Sequence, residues 1–355
     1  MRKANKTMRL NAIAAVIAAM GWGATHAAIV NWTGASGTWN TIASWSPMFP
    51  GVADDVVINV SGVQTITHNT ATDTVNSISI TGDEILTVSG GVLNAGILNN
   101  TGTGSVNVSG GTFGIASGSS GTMNLTGGIT ALSGTLNLTG IVTVNGGTIQ
   151  GGTVQESGSN GLQFGNNGNN FLNGVTVNGV LNVASQSGGV GIVRVGAGGL
   201  TVNTQAGVTG GVVNVGTTAA SSGSTIGFIG NTSFDNGTIN LGSATSTANI
   251  SLDGTGTVML GSSAAVQGRG NFGQLQFLGG TENLINNGLI SANINGQTLT
   301  INNSGTFTNN STLQAVSGGI LSISPGGLWS NAGIIKVVDR FPAERIQSCI
   351  RPTRS

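Results

Sequence analysis

Asn286-Asn287-Gly288-Leu289-Ile290 returns as Asn309-Asn310-Ser311-Thr312-Leu313 and again as Asn331-Ala332-Gly333-Ile334-Ile335, at nearly equal steps along the chain. Between these echoes lie two matching strands, Gln297-Thr298-Leu299-Thr300-Ile301 and Gly319-Ile320-Leu321-Ser322-Ile323. Self-similarity at a period of roughly 22 residues marks a solenoid, in which each repeat covers the apolar face of its neighbour. Within each repeat apolar and small polar residues alternate. A period of two sends the apolar side chains to one face of a strand and the Asn or Thr between them to the other.

The same texture runs back through the chain. Val106-Asn107-Val108-Ser109-Gly110-Gly111, Met123-Asn124-Leu125-Thr126-Gly127-Gly128 and Val142-Thr143-Val144-Asn145-Gly146-Gly147 are short strands that end in glycine turns. Leu181-Asn182-Val183, Val213-Asn214-Val215-Gly216 and Ile239-Asn240-Leu241-Gly242 continue the series. An antiparallel sandwich would favour two-residue Asn-Gly or Asp-Gly hairpin links between similar strands. Here homologous strands recur about one coil apart, so stacking like on like in register is the cheaper arrangement. Asn and Gly at the corners are expected to supply left-handed backbone where the chain bends. The fold expected is all-β: a parallel β-helix, or β-solenoid, forming one elongated domain over residues 61–337. With coils of roughly 22 residues it would have on the order of 14 turns and a length of roughly 65 Å.

Both ends differ from the repeats. Arg2, Lys3, Lys6 and Arg9 precede an apolar stretch, Leu10 to Met20, and Thr25-His26-Ala27 offers small residues for cleavage. Residues 1–27 read as a signal peptide, with export to the cell surface or the extracellular space as the consequence. The apolar stretch is too short for a resident transmembrane helix. Residues 28–60 hold Trp32, Trp39 and Trp45 close together in sequence. They read as an N-terminal cap whose indoles plug the first coil and cover its open edge. Residues 338–355 form an atypical charged tail, in a stretch where Lys336, Asp339, Arg340, Glu344, Arg345, Arg351 and Arg354 crowd together after the charge-poor repeats. A premature end or a reading-frame slip would produce such a tail.

Charge excludes whole classes of partner. From Ala28 to Ile335 there are nine acids against Arg194 and Arg269 alone. Nucleic acid and anionic lipid both need clustered Lys or Arg, so neither is expected as a partner. Disorder is also disfavoured, because the chain is 38% hydrophobic and only 6% charged. Glycine reaches 62 of 355 residues without a three-residue period, which excludes collagen. Cys349 is the single cysteine, so burial and backbone pairing must hold the fold without a disulfide.

No constellation of residues reads as an active site. After the leader the only histidine is His68, among Asn and Thr with Asp73 as its nearest acid, and it reads as a surface residue. Asp54, Asp55, Asp73, Asp83 and Glu84 could approach one another on successive coils, but they match no calcium motif and read as solvated charges. The three tryptophans could form a sugar platform; buried cap residues are the expectation. Gly110-Gly111 and Gly198-Gly199 lack the Lys and the helix of a phosphate cradle. No residue is therefore expected to be catalytic, to bind a cofactor or to ligate a metal.

Two stretches resemble a known group. Trp32 through Val60, with spaced tryptophans, Pro50-Gly51, Asp54-Asp55 and a Val/Ile strand, is similar to the N-terminal block of bacterial exported β-helix surface proteins with autotransporter-type β-strand repeats. Gly254 to Val337, with its Asn-Asn-Gly, Gly-Gln-Thr-Leu and Gly-Gly-Ile-Leu elements, resembles the repeats of the same proteins. Together they cover about a third of the chain. The resemblance implies secretion, a right-handed β-helix and an adhesin-like role, with no catalytic residues. Autotransporters end in a membrane-embedded barrel, and no such strands follow these repeats. The function expected is a non-catalytic surface protein that presents a Thr/Ser/Asn-rich face to carbohydrate, extracellular matrix or other copies of itself. The alternatives are a β-helix polysaccharide lyase or hydrolase, and a truncated copy of a longer autotransporter adhesin.

Overall fold

The computed structural model describes residues 27–338, apart from 159, 186 and 274–276. The predicted signal peptide up to His26, the tail beyond Val338 and Cys349 lie outside the described residues. The chain is a parallel β-solenoid of about 14 turns, with 59% strand and 1% helix.

Each turn contributes three strands, so the rod has three faces. Face 1 begins with Ile29–Trp32, continues through Asp55–Ile58 and residues 77–80, and later includes Glu282–Asn286, Phe307–Asn309 and Trp329–Asn331. Face 2 runs from Thr65–His68 and Ile85–Val88 to Leu289–Ala292, Thr312–Val316 and Ile334–Val338. Face 3 carries, among others, Ile129–Leu132, Thr148–Gln150 and Phe171–Asn173, then Thr298–Ile301 and Ile320–Ile323. The echoing motifs are stacked as expected: Asn286 pairs with Asn309, and Asn309 with Asn331.

Alternation fixes what faces inward. On face 2, Ile66, Leu86, Val106 and Met123 stack in one column, and Val213, Ile239, Val266, Ile290 and Leu313 form its later part. All of these are buried. A one-residue slip would turn the whole column to solvent, which is why register is strongly specified here.

Coil length is less regular than the late repeat implies. Val106 pairs with Met123 across a short coil, whereas Leu181 pairs with Val213, almost twice as far along the chain. The extra residues leave the ladder as corner excursions, several pinched by single antiparallel bridges such as Ser157–Asn160, Ala184–Val190 and Asn203–Thr209.

The N-terminal block joins the solenoid directly, since Ile29–Trp32 and Asp55–Ile58 are already rungs of face 1. The edge of that first strand is covered by Trp45–Ser46, which pairs with it antiparallel. Trp32, Trp39 and Trp45 are at most 5% exposed. Their rings meet edge to face, at 4.9 Å between Trp32 and Trp45 and 4.8 Å between Trp39 and Trp45. The Trp45 indole donates to the Trp39 carbonyl at 2.7 Å. Burial on this scale leaves none of these three indole faces free for a sugar.

The corners correct one expectation. Among the described residues the only non-glycine positions with positive φ are Ala71 and Ser317, so asparagine is not used for left-handed backbone. Asn286 and Asn309 are instead fully buried at the corner between faces 1 and 2. The Asn286 amide donates to Asn309 Oδ1 at 2.7 Å, and the Asn309 amide to Asn331 Oδ1 at 2.6 Å. The corner carbonyls of Thr312, Ser311 and Gly333 accept from the same three amides. Asparagine is chosen because one side chain both satisfies bent backbone and reaches the next coil.

Left-handed backbone is used at the corner between faces 2 and 3, where Ala71, Gly91, Gly111 and Gly128 form a column with φ from 61° to 65°. At Gly111 an added Cβ would also lie 2.5 Å from the Gly91 carbonyl oxygen. Gly111→Ala is therefore expected to destabilise the rod by about 1–3 kcal/mol, whereas Ala71→Gly relieves strain at the equivalent position. Thermal melts followed by circular dichroism check the pair. Equal melting temperatures for Gly111→Ala and the parent would contradict the corner geometry.

Candidate functional site

The residues with chemical potential prove to be tied into the backbone. His68 is fully buried rather than on the surface. Its Nδ1 lies 3.0 Å from the Gly90 carbonyl and its Nε2 2.9 Å from Asp73 Oδ2. Both ring nitrogens are engaged by acceptors of the protein itself. The position next to the tryptophan cap explains the burial, since the Trp39 ring sits 6.2 Å away.

Nor do Asp54, Asp55 and Glu84 behave as solvated charges. Asp54 is 9% exposed and accepts the backbone amides of Gly51 and Ala28 at 2.8 and 3.0 Å. Glu84 is fully buried and accepts the Val60 amide at 2.5 Å. Asp55 Oδ1 accepts from Asn76 and Ser77. Asp54 and Glu84 thus cap backbone amides, and Asp55 bonds side chains of the next coil. Among the described residues no three His, Cys, Asp or Glu side chains come together as a metal-binding group.

What the rod displays instead is a file of uncharged hydrogen-bonding groups along face 2. Between the inward apolar residues, one outward position per coil carries Thr67, Thr87, Asn107, Asn124, Thr143 and Gln163. Beyond a break after Gln163 the file continues as Asn182, Asn214, Asn240, Gln267, Ser291 and Gln314. The amides are linked head to tail: Asn214 donates to Asn182, Asn240 to Asn214 and Gln267 to Asn240, each at 2.9 Å. Every link has the same polarity. Each interior amide spends one N–H and one acceptor site on its neighbours and keeps the remainder for solvent or a ligand. Another linked file runs from Gln155 through Asn178 and Asn203 to Asn236.

The break lies between two strands of the face 2 ladder. Leu162–Phe164 pairs with the coil before it, and Val180–Val183 begins a second sheet that pairs only with the coil after it. Around the break the chain makes corner excursions pinched by the Ser157–Asn160 and Ala184–Val190 bridges, and among the described residues only the Phe164 amide, donating to the Ala184 carbonyl at 2.9 Å, links the two coils on this face. A cavity of about 330 Å³ opens there, lined by Glu156, Asn160, Gln163, Asn182, Ser185 and Gln205 among others. A shallower groove of about 450 Å³ shares Ser185 and extends past Thr143 and Asn145. Here the amide chain fails. Asn182 turns its amide to its own strand, at 3.2 Å from the Val180 carbonyl, and the buried Gln163 Oε1 has no hydrogen-bond partner.

Glu156 mends part of the gap. Its Oε1 accepts the Leu162 amide at 2.9 Å, and Gly161 and Gly179 leave room for the carboxyl where a Cβ would lie within 2.8 Å of its oxygens. Burial raises this carboxyl from the ordinary 4.5 to about 7, against the opposing pull of the Leu162 and Val180 amides. Two other buried groups lie on the far side of the seam. Burial pushes Glu282 up, opposed by the Ser304 hydroxyl, and pushes Arg194 down, opposed by Asp253. The Arg194 guanidinium sits 5.0 Å from the ring centres of both Phe171 and Phe277.

No protein family, no curated protein and no solved structure matches this chain. No helix among the described residues is long and apolar enough to cross a membrane.

The Glu156 environment makes stability depend on pH in a defined direction. A carboxyl whose folded pKa is raised favours the folded state when protonated. The stabilisation is complete below pH 4.5 and is lost as pH rises through 7. The loss is about 3 kcal/mol. Denaturant melts at pH 4.5 and pH 8 should show it, and Glu156→Gln should flatten it. A parent protein more stable at pH 8, with the slope unchanged in Glu156→Gln, would refute the assignment.

Proposed function

We propose that this protein is a non-catalytic, exported surface protein of adhesin-like character, which binds through the repeated uncharged face of its solenoid. The observation that carries this reading is the in-register file of Asn, Gln, Ser and Thr along face 2. Such a file offers the same donor and acceptor pair at each coil, spaced by roughly 4.8 Å. Individually these contacts are weak. Repeated along a rod they add as avidity, which suits a polymeric partner such as a polysaccharide, a matrix fibre or a second copy of the rod. The scarcity of charge favours neutral partners over nucleic acid or anionic lipid. The n-region, apolar stretch and small residues of the first 27 positions support export. Among the described residues Glu156 is the only carboxyl lining the cavity, which weighs against the paired acids of a glycoside hydrolase.

Two measurements test the reading. A reporter fused after Ala27 should leave the cytoplasm. Beads coated with residues 28–355 should adhere to neutral insoluble polysaccharide or to one another. The triple change Asn182→Ala, Asn214→Ala and Asn240→Ala should cut adhesion at least tenfold without altering the circular dichroism spectrum. Adhesion unchanged in the folded triple variant would exclude the ladder as the binding face.

A further inference from the structure

Backbone pairing does not run equally along the three faces. Face 3 is continuous: Phe171–Asn173, Ile192–Val195, Thr225–Ile229, Ala248–Asp253, Gly270–Phe272 and Thr298–Ile301 each pair with the next. Face 2 stops at Leu162–Phe164 and restarts at Val180–Val183. Face 1 has a break of its own, two coils further on. Leu200–Asn203 pairs with the coil before it, and among the described residues no backbone ladder joins it to residues 232–234, the next rung. The local cause is visible there. The Val202 carbonyl, which a continuous ladder would offer to the next coil, accepts the Gly211 amide of its own corner excursion at 3.1 Å. A side chain crosses instead, since the Asn236 amide donates to Asn203 Oδ1 at 3.0 Å.

Slack in the chain accompanies both breaks. Three excursions fall in this stretch, closed by the bridges Ser157–Asn160, Ala184–Val190 and Asn203–Thr209. Gly158, Gly188 and Gly210, in or beside them, hold positive φ, and a Cβ added at any of the three would meet nothing within 4 Å. At Gly91 and Gly111, in the regular coils, the same addition would strike backbone of the neighbouring turn. Unpacked glycines of this kind absorb backbone rotation without dragging a neighbouring coil.

Face 3 is reinforced over the same stretch. Arg194, only 6% exposed, lies on the strand between the two breaks. Its guanidinium sits 5.0 Å from the ring centre of Phe171, one coil earlier, and 5.0 Å from that of Phe277, which follows the strand three coils later. It also donates to the Gly168 carbonyl at 3.2 Å, and Asp253 accepts the Phe277 amide at 3.1 Å. Cation–π contacts gain strength where the cation is desolvated. These contacts reach across the coils that the other two faces leave unpaired.

We propose that the coils between Leu162 and Phe234 form a bending joint, at which faces 1 and 2 part while face 3 stays paired as the hinge, braced by Arg194. The segments on either side then tilt as rigid bodies toward face 3, with the glycine excursions taking up the change in backbone angles. Each segment can present its own part of face 2 to an uneven surface. The joint is a property of the coil pairing and holds whatever face 2 binds.

Double electron–electron resonance between spin labels tests the proposal in the Cys349→Ser chain. Asn107→Cys with Asn240→Cys spans the joint on face 2, and Ala131→Cys with Asn271→Cys spans it on face 3. Each pair is about six coils, or roughly 29 Å, apart. Asn214→Cys with Gln314→Cys lies wholly on the regular coils of face 2. The distance distribution should be at least twice as broad for the first pair as for the other two. Arg194→Met, with an unchanged circular dichroism spectrum, should broaden the face 3 pair as well. Equal widths for the three parent pairs would overturn the joint, whether or not the variant folds. A folded Arg194→Met protein with the parent's face 3 width would overturn the brace.

Discussion

Parallel strands hydrogen-bond at a separation of roughly 4.8 Å, so each residue of a regular coil sits directly over its counterpart one turn away. Whatever is placed at a position is repeated as a column. Inward columns of Val, Leu and Ile exclude water along the axis, and no disulfide is required. Outward columns of asparagine become continuous amide chains, because the spacing that joins the backbones also joins their side chains. The constraint explains the corners as well. Where the chain bends tightly, a column of left-handed glycines serves; where it leaves amides and carbonyls unpaired, Asn286, Asn309 and Asn331 serve.

Much of this was legible in the sequence. The alternation in Val213-Asn214-Val215 and the echo of Asn286-Asn287-Gly288 at Asn309 give strand type, inward face and register directly. What could not be read was the purpose of particular polar residues. Asn286 and Asn287 are adjacent and chemically identical, yet the first is buried within the corner and the second receives the Asn310 amide on the surface. His68 and Glu84 sit among Thr, Asn and Gly, a neighbourhood typical of exposed loops. Their burial depends on the cap and on Val60 one coil before. The seam was hidden for a different reason. It has no motif of its own and lies beside the corner excursions bridged at Ser157–Asn160 and Ala184–Val190. A pattern search that assumes a constant period passes over it. The orphaned Gln163 Oε1 and the shifted Glu156 carboxyl are the physical trace of that irregularity.

The regular and irregular parts of the rod carry different chemistry. Regular coils pair their backbones turn to turn and hold outward donors and acceptors in fixed array, a rigid surface that loses little entropy on contact. Buried acids appear where the array is disturbed: Asp54 and Glu84 near the cap, Glu156 at the seam and Glu282 beside the loop that Phe277 anchors. At Asp54, Glu84 and Glu156 the carboxyl repairs a missing backbone partner, and among the described residues the acids gather into no metal-binding group.

Like-on-like register is the claim beneath all of this, and crosslinking between coils tests it most directly. In a Cys349→Ser background, cysteines replacing Asn214 and Asn240 sit at paired positions on face 2, within the reach of a disulfide, which needs Cα atoms about 4.4–6.8 Å apart. Cysteines replacing Asn214 and Thr238 are offset along the strand and lie beyond it. Rapid oxidation of the first pair and none of the second is the predicted result. Oxidation of the offset pair, or of neither, would mean that these strands are not stacked in the register described.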